Sequence, residues 1–220
     1  MYSFTEENYL KTIYHLSQQK HPESVTTNAI AELLQTKAAS VTDMLKKLSD
    51  KKLISYVKYQ GVNLTEKGRK VAIGTVRKHR LWEVFLFDKL KFGWDEVHEV
   101  AEQLEHIQSD NLIEKLDAFL NYPTVDPHGD PIPRKDGTIK NQKLTPLVEC
   151  KKNTQVVMSG VKEHSVSFLQ HLNKMELSLG KKIKIHEVHE FDRSMVLMVD
   201  KGTKILVSNE VAKNILVSEV

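Results

Sequence analysis

The sequence contains one cysteine, Cys150, among its 220 residues, and this scarcity excludes two kinds of structure. An intrachain disulfide needs two cysteines, and finger-type zinc sites need several cysteines or cysteine–histidine pairs. No apolar run approaches the roughly 20 residues that span a bilayer. The first ten residues include Glu6 and Glu7 and lack the apolar core of a signal peptide. We therefore expect a cytoplasmic protein that has no membrane partner.

Familiar catalytic motifs are also missing from the sequence. Cys150 has no evident histidine partner, and no glycine-rich phosphate loop is present. The zinc-protease pattern H-E-x-x-H fails because His98-Glu99 is followed by Val100, Ala101 and Glu102. The sequence therefore predicts that the protein is not an enzyme and has no small-molecule substrate. A metal-dependent hydrolase is the alternative, and it would require an open coordination position and a pocket.

Charge is distributed unevenly along the chain. Residues 1–80 contain 14 Lys and Arg against 7 Asp and Glu, whereas residues 81–220 contain 18 against 22. A basic N-terminal segment favours binding to a polyanion such as nucleic acid. Chance clustering on a solvated surface is the alternative explanation.

Prolines divide the chain into two parts of different character. Five of the six prolines lie between Pro123 and Pro146, which indicates a linker or an ordered irregular loop. After it, short apolar runs alternate with turns from Val156 to Val220, interrupted by one short helix at about residues 166–174. Asp200-Lys201-Gly202 is a hairpin turn signal, and the pattern predicts a small β-barrel.

The N-terminal part has the element order of a winged helix-turn-helix. Apolar spacing and capping residues predict the following elements: a helix over 8–17, a helix capped by Thr26 or Thr27, a helix over 38–50, a strand over 53–59 that turns at Gln60-Gly61 and returns over 62–64, and a long helix from Thr65 towards Phe87. In such a domain the helix over 38–50 would enter the major groove of double-stranded DNA. A plain three-helix domain with a basic exterior is the alternative.

Small and polar residues at the start of that helix allow a close approach to bases, and lysines suit phosphates. The candidate DNA-binding residues are Lys37, Ala39, Ser40, Thr42, Asp43, Lys46 and Lys47.

Histidines and carboxylates gather between Trp94 and Asp110. At 100° per residue, His98, Glu102, Glu105 and His106 fall within an arc of about 100°, opposite the apolar residues. No lysine or arginine occurs in this run, so no i,i+4 salt bridge neutralises the cluster. These groups repel one another unless a cation joins them, which indicates a metal site. A solvated helix face is the alternative.

A second pair, His79 and Glu83, has i,i+4 spacing on the preceding long helix. Histidine and glutamate side chains on adjacent helices can converge on a metal ion between them.

Four motifs together resemble the diphtheria toxin repressor family of iron- and manganese-dependent regulators. They are residues 7–14 (ENYLKTIY), 77–83 (RKHRLWE), 98–110 (HEVAEQLEHIQSD) and 126–133 (DPHGDPIP). The resemblance covers nearly the whole chain. It implies a mainly α protein with a small β domain, divided into a winged helix-turn-helix over 1–73, a helical dimerisation and metal-binding domain over 74–145, and an SH3-like (FeoA-type) β-barrel over 153–220. It also implies a homodimeric repressor that binds palindromic operator DNA and controls metal-uptake genes.

The resemblance implies two metal sites in each subunit. The primary site would use Asn8, Glu102, Glu105 and His106; the family often has Asp or Met in place of Asn8. The second site would use His79, Glu83 and His98, together with Asp126, His128 and either Glu163 or His164. Asp126 stands where manganese-type relatives carry Cys. Candidates for the dimer interface, with the subunit core as the alternative, are Trp94, Val100, Leu104, Leu112, Ile113 and Leu116.

Metal preference follows from the chemistry of the ligands. Iron-type members of the family carry Cys at the position of Glu102, and a carboxylate makes the site harder and richer in oxygen. We therefore expect Mn²⁺, with Fe²⁺ as the alternative, while Zn²⁺, Co²⁺ or Ni²⁺ can substitute in vitro. Two other functions stay open at this point: an iron-type repressor of the same family, or a metal-independent DNA-binding or adaptor protein with a degenerate metal site.

Overall fold

Helices occupy the first half of the described chain, and strands occupy most of its last third. The structure is a computed structural model, and it describes residues 2–18, 25–57, 61–140, 142–200 and 202–220. The helices are α1 (Phe4–Ser17), α2 (Thr27–Leu33), α3 (Ala38–Asp50), α4 (Glu66–Asp88), α5 (Val97–Leu104), α6 (Asp110–Phe119), α7 (Val166–Lys174) and α8 (Asn209–Asn214). The strands are β1 (Ile54–Val57), β2 (Gly61–Leu64), β3 (Thr145–Pro146), β4 (Gln155–Val161), β5 (Lys182–Val188), β6 (Met195–Val199), β7 (Thr203–Val207) and β8 (Ile215–Glu219).

The chain forms two compact units. The first comprises Met1–Trp82, Glu102–Ala118 and Pro133–Ile139, and the second comprises Glu83–Ala101, Phe119–Ile132 and Lys140–Val220. In the part of the chain that the structure describes, no helix combines the length and apolar character needed to cross a membrane.

The first unit contains the predicted winged helix-turn-helix. Helix α1 begins with a capping box, in which Ser3 and Glu6 bond to each other's backbone N–H groups. Thr26 caps α2 through its side chain, which accepts from the Ala29 N–H. Helix α3 buries residues at helical spacing, and β1 pairs antiparallel with β2. Buried side chains at the centre of this unit include Leu10, Ile13, Ile30, Val41, Leu45, Leu48 and Leu53.

Several elements of this unit agree with the sequence patterns. The bounds of α3 are those predicted, whereas α1 begins at Phe4 rather than Asn8 because the capping box extends it towards the N-terminus. The predicted end of the first strand and the turn at Gln60 fall on residues 58–60, which lie outside the described residues.

The second unit contains a six-stranded antiparallel sheet in the order β3-β8-β4-β5-β6-β7. Its core includes Met158, Leu169, Leu172, Ile185, Leu197 and Ile215. Strands β6 and β7 pair from Val199↔Thr203 outwards, as the Asp200–Gly202 turn predicts, although Lys201 lies outside the described residues. Trp94 belongs to this core, and its indole Nε1–H donates to Asn173 Oδ1 at 2.7 Å. Burial therefore supports the subunit-core role for Trp94.

Candidate metal centre and DNA-binding face

Two of the predicted metal ligands follow the end of α5. The helix ends at Leu104, so Glu105 and His106 project from the turn after it rather than from the helical face that the sequence predicts. Glu105 is 0% exposed and His106 is 6% exposed, whereas Glu102, still on α5, is exposed. The turn directs both side chains into the first unit, where they meet α1.

Glu105 is surrounded by nitrogen atoms. Its Oε2 lies 2.6 Å from His79 Nδ1, and its Oε1 accepts from Lys11 Nζ at 2.6 Å. Lys11 Nζ also donates to Glu102 Oε1 at 3.0 Å. Burial alone would raise the pKa of Glu105, but the His79 hydrogen bond and the Lys11 charge outweigh it and lower that pKa. Glu105 is therefore a carboxylate, and the cation missing from the Trp94–Asp110 run is supplied by α1.

His106 is oriented by α1. Its Nδ1 lies 2.7 Å from Glu7 Oε2, and Glu7 Oε1 accepts from Gln108 Nε2 at 2.8 Å. A carboxylate partner assigns the ring proton to Nδ1, which leaves a lone pair on Nε2. That Nε2 lies 3.7 Å from Glu105 Oε1, and Phe4 stacks on the ring with centroids 4.7 Å apart. A histidine held by a carboxylate through one nitrogen is the usual arrangement of a metal-binding histidine.

Asn8 has a buried oxygen that is not satisfied. Among the residues that the structure describes, its Oδ1 finds no hydrogen-bond partner. A buried acceptor without a partner costs free energy, so such an atom calls for an explanation. Asn8 and Lys11 are three residues apart on α1 and share one helix face. An amide oxygen, two carboxylates and an imidazole are donors that divalent ions accept, so the chemistry of Asn8, Glu102, Glu105 and His106 fits a metal.

A second group of donors lies in the second unit. Ligating atoms of Glu83, Asp126 and His128 lie within 4.8 Å of one another, and all three residues are buried. His128 Nε2 lies 2.7 Å from the Trp94 carbonyl oxygen, which assigns its proton to Nε2 and leaves Nδ1 facing Glu83 at 3.7 Å. Burial lowers the pKa of His128, so its imidazole is neutral at pH 7 and able to ligate. His98 Nδ1 lies 3.6 Å from the same carboxylate.

The loop that carries Asp126 and His128 is packed against β4. Asp126 Oδ1 accepts from the N–H groups of His128 and Asp130, at 2.8 and 3.0 Å. Gly129 has φ +91°, and a Cβ there would lie 2.2 Å from the Ser159 carbonyl oxygen. The glycine of the D-P-H-G motif is therefore required by backbone conformation and by close approach.

Adjacent residues Glu163 and His164 differ sharply in environment. Glu163 is exposed, and its Oε1 accepts from the Ser165 N–H at 2.8 Å, which lowers its pKa. His164 stacks on His128 with ring centroids 4.8 Å apart, and its Nε2 is buried without a hydrogen-bond partner in the described chain. The structure thus brings His164, and not Glu163, beside His128.

The residues predicted for the second site are divided between the units. His79 lies in the first unit and contacts Glu105, whereas the remaining candidates lie in the second. His79 and Glu83 are one turn apart on α4.

Helix α3 presents most of the predicted DNA-binding residues to solvent. The exposed candidates on α3 and at its N-cap are Lys37, Ala39, Ser40, Asp43, Lys46 and Lys47. Thr42 is half-buried, and its hydroxyl donates to the Ala38 carbonyl oxygen at 3.0 Å. Lys46 Nζ lies 3.4 Å from Asp43 Oδ1 on the same face.

Lys47 differs from Lys46 because it contacts α1. Glu6 Oε1 lies 3.0 Å from Lys47 Nζ and 2.7 Å from Lys51 Nζ, and Glu6 itself is 1% exposed. Burial would raise the pKa of Glu6, but the hydrogen bonds from Lys51 and Lys47 lower it to about 2. The first turn of α1 therefore holds the C-terminal end of α3.

Sequence reasoning missed the roles of Glu6, Glu7 and Lys11. Glu7 and Lys11 fall within the ENYLKTIY motif, yet no partner could be assigned to them. The available signal was spacing, since Lys11 follows Asn8 by three residues and Glu7 by four, which places it beside both on one helix.

Three family models together match most of the chain. They describe the N-terminal DNA-binding domain of iron dependent repressors (residues 1–62), the metal binding and dimerisation domain of iron dependent repressors (residues 65–134) and the FeoA domain (residues 145–219).

Individual relatives include proteins named for either metal. The iron-dependent repressor IdeR of Mycobacterium leprae (strain TN) is 35% identical over 163 residues, which cover 70% of this chain and 69% of that protein. A solved manganese-dependent transcriptional repressor in complex with manganese is 30% identical, with TM-score 0.85 and coverage of 98% of this chain and 100% of that one. The structure of ScaR with bound Zn²⁺ is 36% identical, with TM-score 0.75 and coverage of 98% and 99%.

The fold agrees with these matches: a DNA-binding helical domain, a helical metal-binding and dimerisation domain, and a C-terminal β domain, as the sequence predicts. The chain therefore belongs to the diphtheria toxin repressor family, whose members are metal-dependent, DNA-binding transcriptional repressors and not enzymes.

Proposed function

We propose that this chain is a Mn²⁺-responsive repressor that binds palindromic operator DNA as a homodimer and controls metal-uptake genes. Its primary site is formed by Asn8, Glu102, Glu105 and His106. The buried, unpartnered Oδ1 of Asn8 carries this proposal, because it is an oxygen donor on the same helix that already contacts Glu105 and His106. In this scheme residues 1–73 bind DNA, residues 74–145 bind metal and dimerise, and residues 153–220 form an accessory β domain.

The choice of Mn²⁺ depends on donor chemistry. Three oxygen donors and one imidazole make a hard site, and no thiol belongs to it, since the chain's one cysteine is Cys150 in the second unit. Hard oxygen ligands suit Mn²⁺, whereas softer ligands favour later metals. Fe²⁺ is the competing candidate, because relatives named for iron and for manganese are both similar to this chain.

The side chains around the site do three separate jobs. Glu7 orients His106, His79 orients Glu105, and Glu6 holds the lysines at the end of α3. A bound divalent ion would supply positive charge shared by α1 and the turn after α5. Helix α1 is then the element that links metal occupancy to the position of α3, the proposed recognition helix. If metal favours the DNA-competent arrangement, DNA must tighten metal binding by the same factor.

We assign the second site to Glu83, Asp126, His128 and His164, with His98 beside them. The support is the buried group of three donors and the unpartnered Nε2 of His164 stacked on His128. Glu163 is left out because it is exposed and its carboxylate accepts a hydrogen bond from the Ser165 N–H. His79, which the sequence predicts for the second site, also contacts Glu105 through its Nδ1.

Titrating metal into site variants tests these assignments. Metal-free full-length protein would be titrated calorimetrically with Mn²⁺, and with Fe²⁺ under anaerobic conditions. We expect Glu102→Ala/His106→Ala and Asp126→Ala/His128→Ala each to bind less Mn²⁺ per chain than the wild type. His164→Ala should weaken the second site, and Glu163→Gln should not. Full Mn²⁺ binding by the Glu102→Ala/His106→Ala variant would contradict the primary site, and a clear preference for Fe²⁺ would contradict the choice of metal.

A further inference from the structure

Lys11 places its ammonium group inside the proposed primary site. Its Nζ lies 2.6 and 2.9 Å from the two carboxylate oxygens of Glu105 and 3.0 Å from Glu102 Oε1. The lysine is 9% exposed and Glu105 is 0% exposed, so this contact is shielded from water. One ammonium group thus engages both carboxylates proposed as metal ligands.

We propose that Lys11 is a built-in competitor of the metal: its ammonium occupies the Glu102–Glu105 carboxylate pair in the metal-free protein and must be displaced for a divalent ion to bind. This inference rests on the proposed function of the primary site and adds a residue that sets its response threshold.

Displacement follows from charge and from the number of available oxygens. Both oxygens of Glu105 are within hydrogen-bond distance of Nζ, so a divalent ion and the ammonium cannot both retain them. Two cations a few ångströms apart beside the fully buried Glu105 also repel each other, because the local dielectric is lower than that of water. Metal binding therefore includes the cost of breaking a buried ion pair, and the metal concentration needed for half-occupancy rises accordingly.

Asn8 gives α1 a replacement link once Lys11 has left. Its orphan Oδ1 lies on the same face of α1, one helical turn before Lys11. In the metal-free form, α1 is joined to the turn after α5 by Lys11; in the metal-bound form, the ligand Asn8 takes over. The exchange also explains how two neighbouring carboxylates remain close together without a metal, since Lys11 neutralises them.

Removing the ammonium tests the inference directly. The Lys11→Met and Lys11→Arg changes would each be made in a protein that also carries Asp126→Ala/His128→Ala, so that the measured Mn²⁺ binding is that of the primary site. Mn²⁺ would then be titrated into these metal-free proteins. Lys181→Met is the matched control, because it removes one lysine from a surface ion pair with Asp200 in the second unit. We expect the dissociation constant for Mn²⁺ to fall by about tenfold or more in Lys11→Met. It should stay near the parent value in Lys11→Arg and Lys181→Met.

The melting temperature supplies a second readout on the same proteins. Metal-free Lys11→Met should melt at a lower temperature than its parent, because a buried carboxylate loses its partner. Unchanged or weaker Mn²⁺ binding by Lys11→Met would overturn the inference.

Chemical labelling of the wild type covers the case in which Lys11→Met does not fold. The rate of reductive methylation of Lys11 would be measured by mass spectrometry with and without Mn²⁺, relative to that of Lys181. Displacement predicts that Mn²⁺ accelerates Lys11 labelling, and an unchanged ratio would overturn the inference. If Glu102→Ala/His106→Ala binds Mn²⁺ like the wild type, the proposed function itself fails. If that variant loses Mn²⁺ but Lys11→Met behaves like its parent, only the role of Lys11 fails.

Discussion

His106 and Glu7 form a hydrogen bond although they are 99 positions apart in sequence, with Nδ1 of the imidazole 2.7 Å from Oε2 of the carboxylate. This contact joins the turn after α5 to the first turn of α1 and fixes which ring nitrogen is free. Both residues are buried, so the contact is shielded from competing water. It makes the first turn of α1 part of the proposed metal centre.

Glu7→Gln should weaken Mn²⁺ binding at the primary site by about tenfold, because residues that orient a metal-binding histidine typically contribute 10–100-fold to affinity. The glutamine keeps the shape of the side chain but loses the charge that holds the His106 N–H. Calorimetric titration of metal-free protein measures the effect. The control is Glu163→Gln, which removes an exposed carboxylate. Equal affinity in Glu7→Gln and wild type would show that Glu7 does not orient the ligand.

Glu6 and Lys51 should be energetically coupled. Glu6 is buried and its Oε1 lies 2.7 Å from Lys51 Nζ, so a double-mutant cycle with Glu6→Gln and Lys51→Met should give about 1 kcal/mol of coupling in the free energy of unfolding. Urea denaturation of the metal-free protein is the measurement. The exposed Asp43–Lys46 pair is the reference, and its cycle should give no measurable coupling. Equal coupling in the two cycles would argue against an anchoring role for Glu6.

Lys46→Ala should weaken DNA binding without changing sequence preference. Lys46 is exposed on α3, and its ion pair with Asp43 is long (3.4 Å) and exposed, so its ammonium can move to a phosphate. The slope of log K against log salt should become shallower by about 0.9, the value for one phosphate contact. Fluorescence anisotropy on specific and random duplexes measures both effects, with Lys213→Ala as the control. Loss of specificity at unchanged salt slope would place Lys46 at a base instead.

Gly129→Ala should destabilise the protein by about 2 kcal/mol or more. The residue has φ +91°, and the added Cβ would meet the Ser159 carbonyl oxygen at 2.2 Å. Gly180→Ala is the matched control, because φ is +87° there but nothing lies within 4 Å of the added Cβ. It should cost about 1 kcal/mol. If the two variants unfold at the same urea concentration, the close approach of Gly129 to β4 is not what requires glycine.

Where the local sequence pattern is strong, it predicted the secondary-structure element well. Helix α3 has the predicted bounds because its buried residues recur at helical spacing, and α7 likewise spans the predicted residues 166–174. The prediction that Glu105 and His106 lie on the helix was wrong, because α5 ends at Leu104 and both residues belong to the turn that follows. Helix ends depend on local caps and tertiary contacts, which periodicity does not report.

Which side chains contact each other in the candidate site could be learned only from the three-dimensional structure. Lys11 and Glu105 are 94 positions apart, and no local pattern relates them. Glu163 and His164 are neighbours in sequence, yet Glu163 is exposed while the half-buried ring of His164 stacks on that of His128. The family motifs name the segments of the proposed sites, and packing decides which of their residues meet.

The most direct test of the whole account is DNA binding as a function of metal. Metal-free full-length protein would be titrated onto a palindromic operator, taken from its own upstream region or from that of a metal transporter, with and without Mn²⁺. The Glu102→Ala/His106→Ala variant would be measured in parallel. We predict tight binding by the wild type only with Mn²⁺, and loss of that response in the variant. Equal binding by the wild type with and without metal would contradict a metal-operated switch.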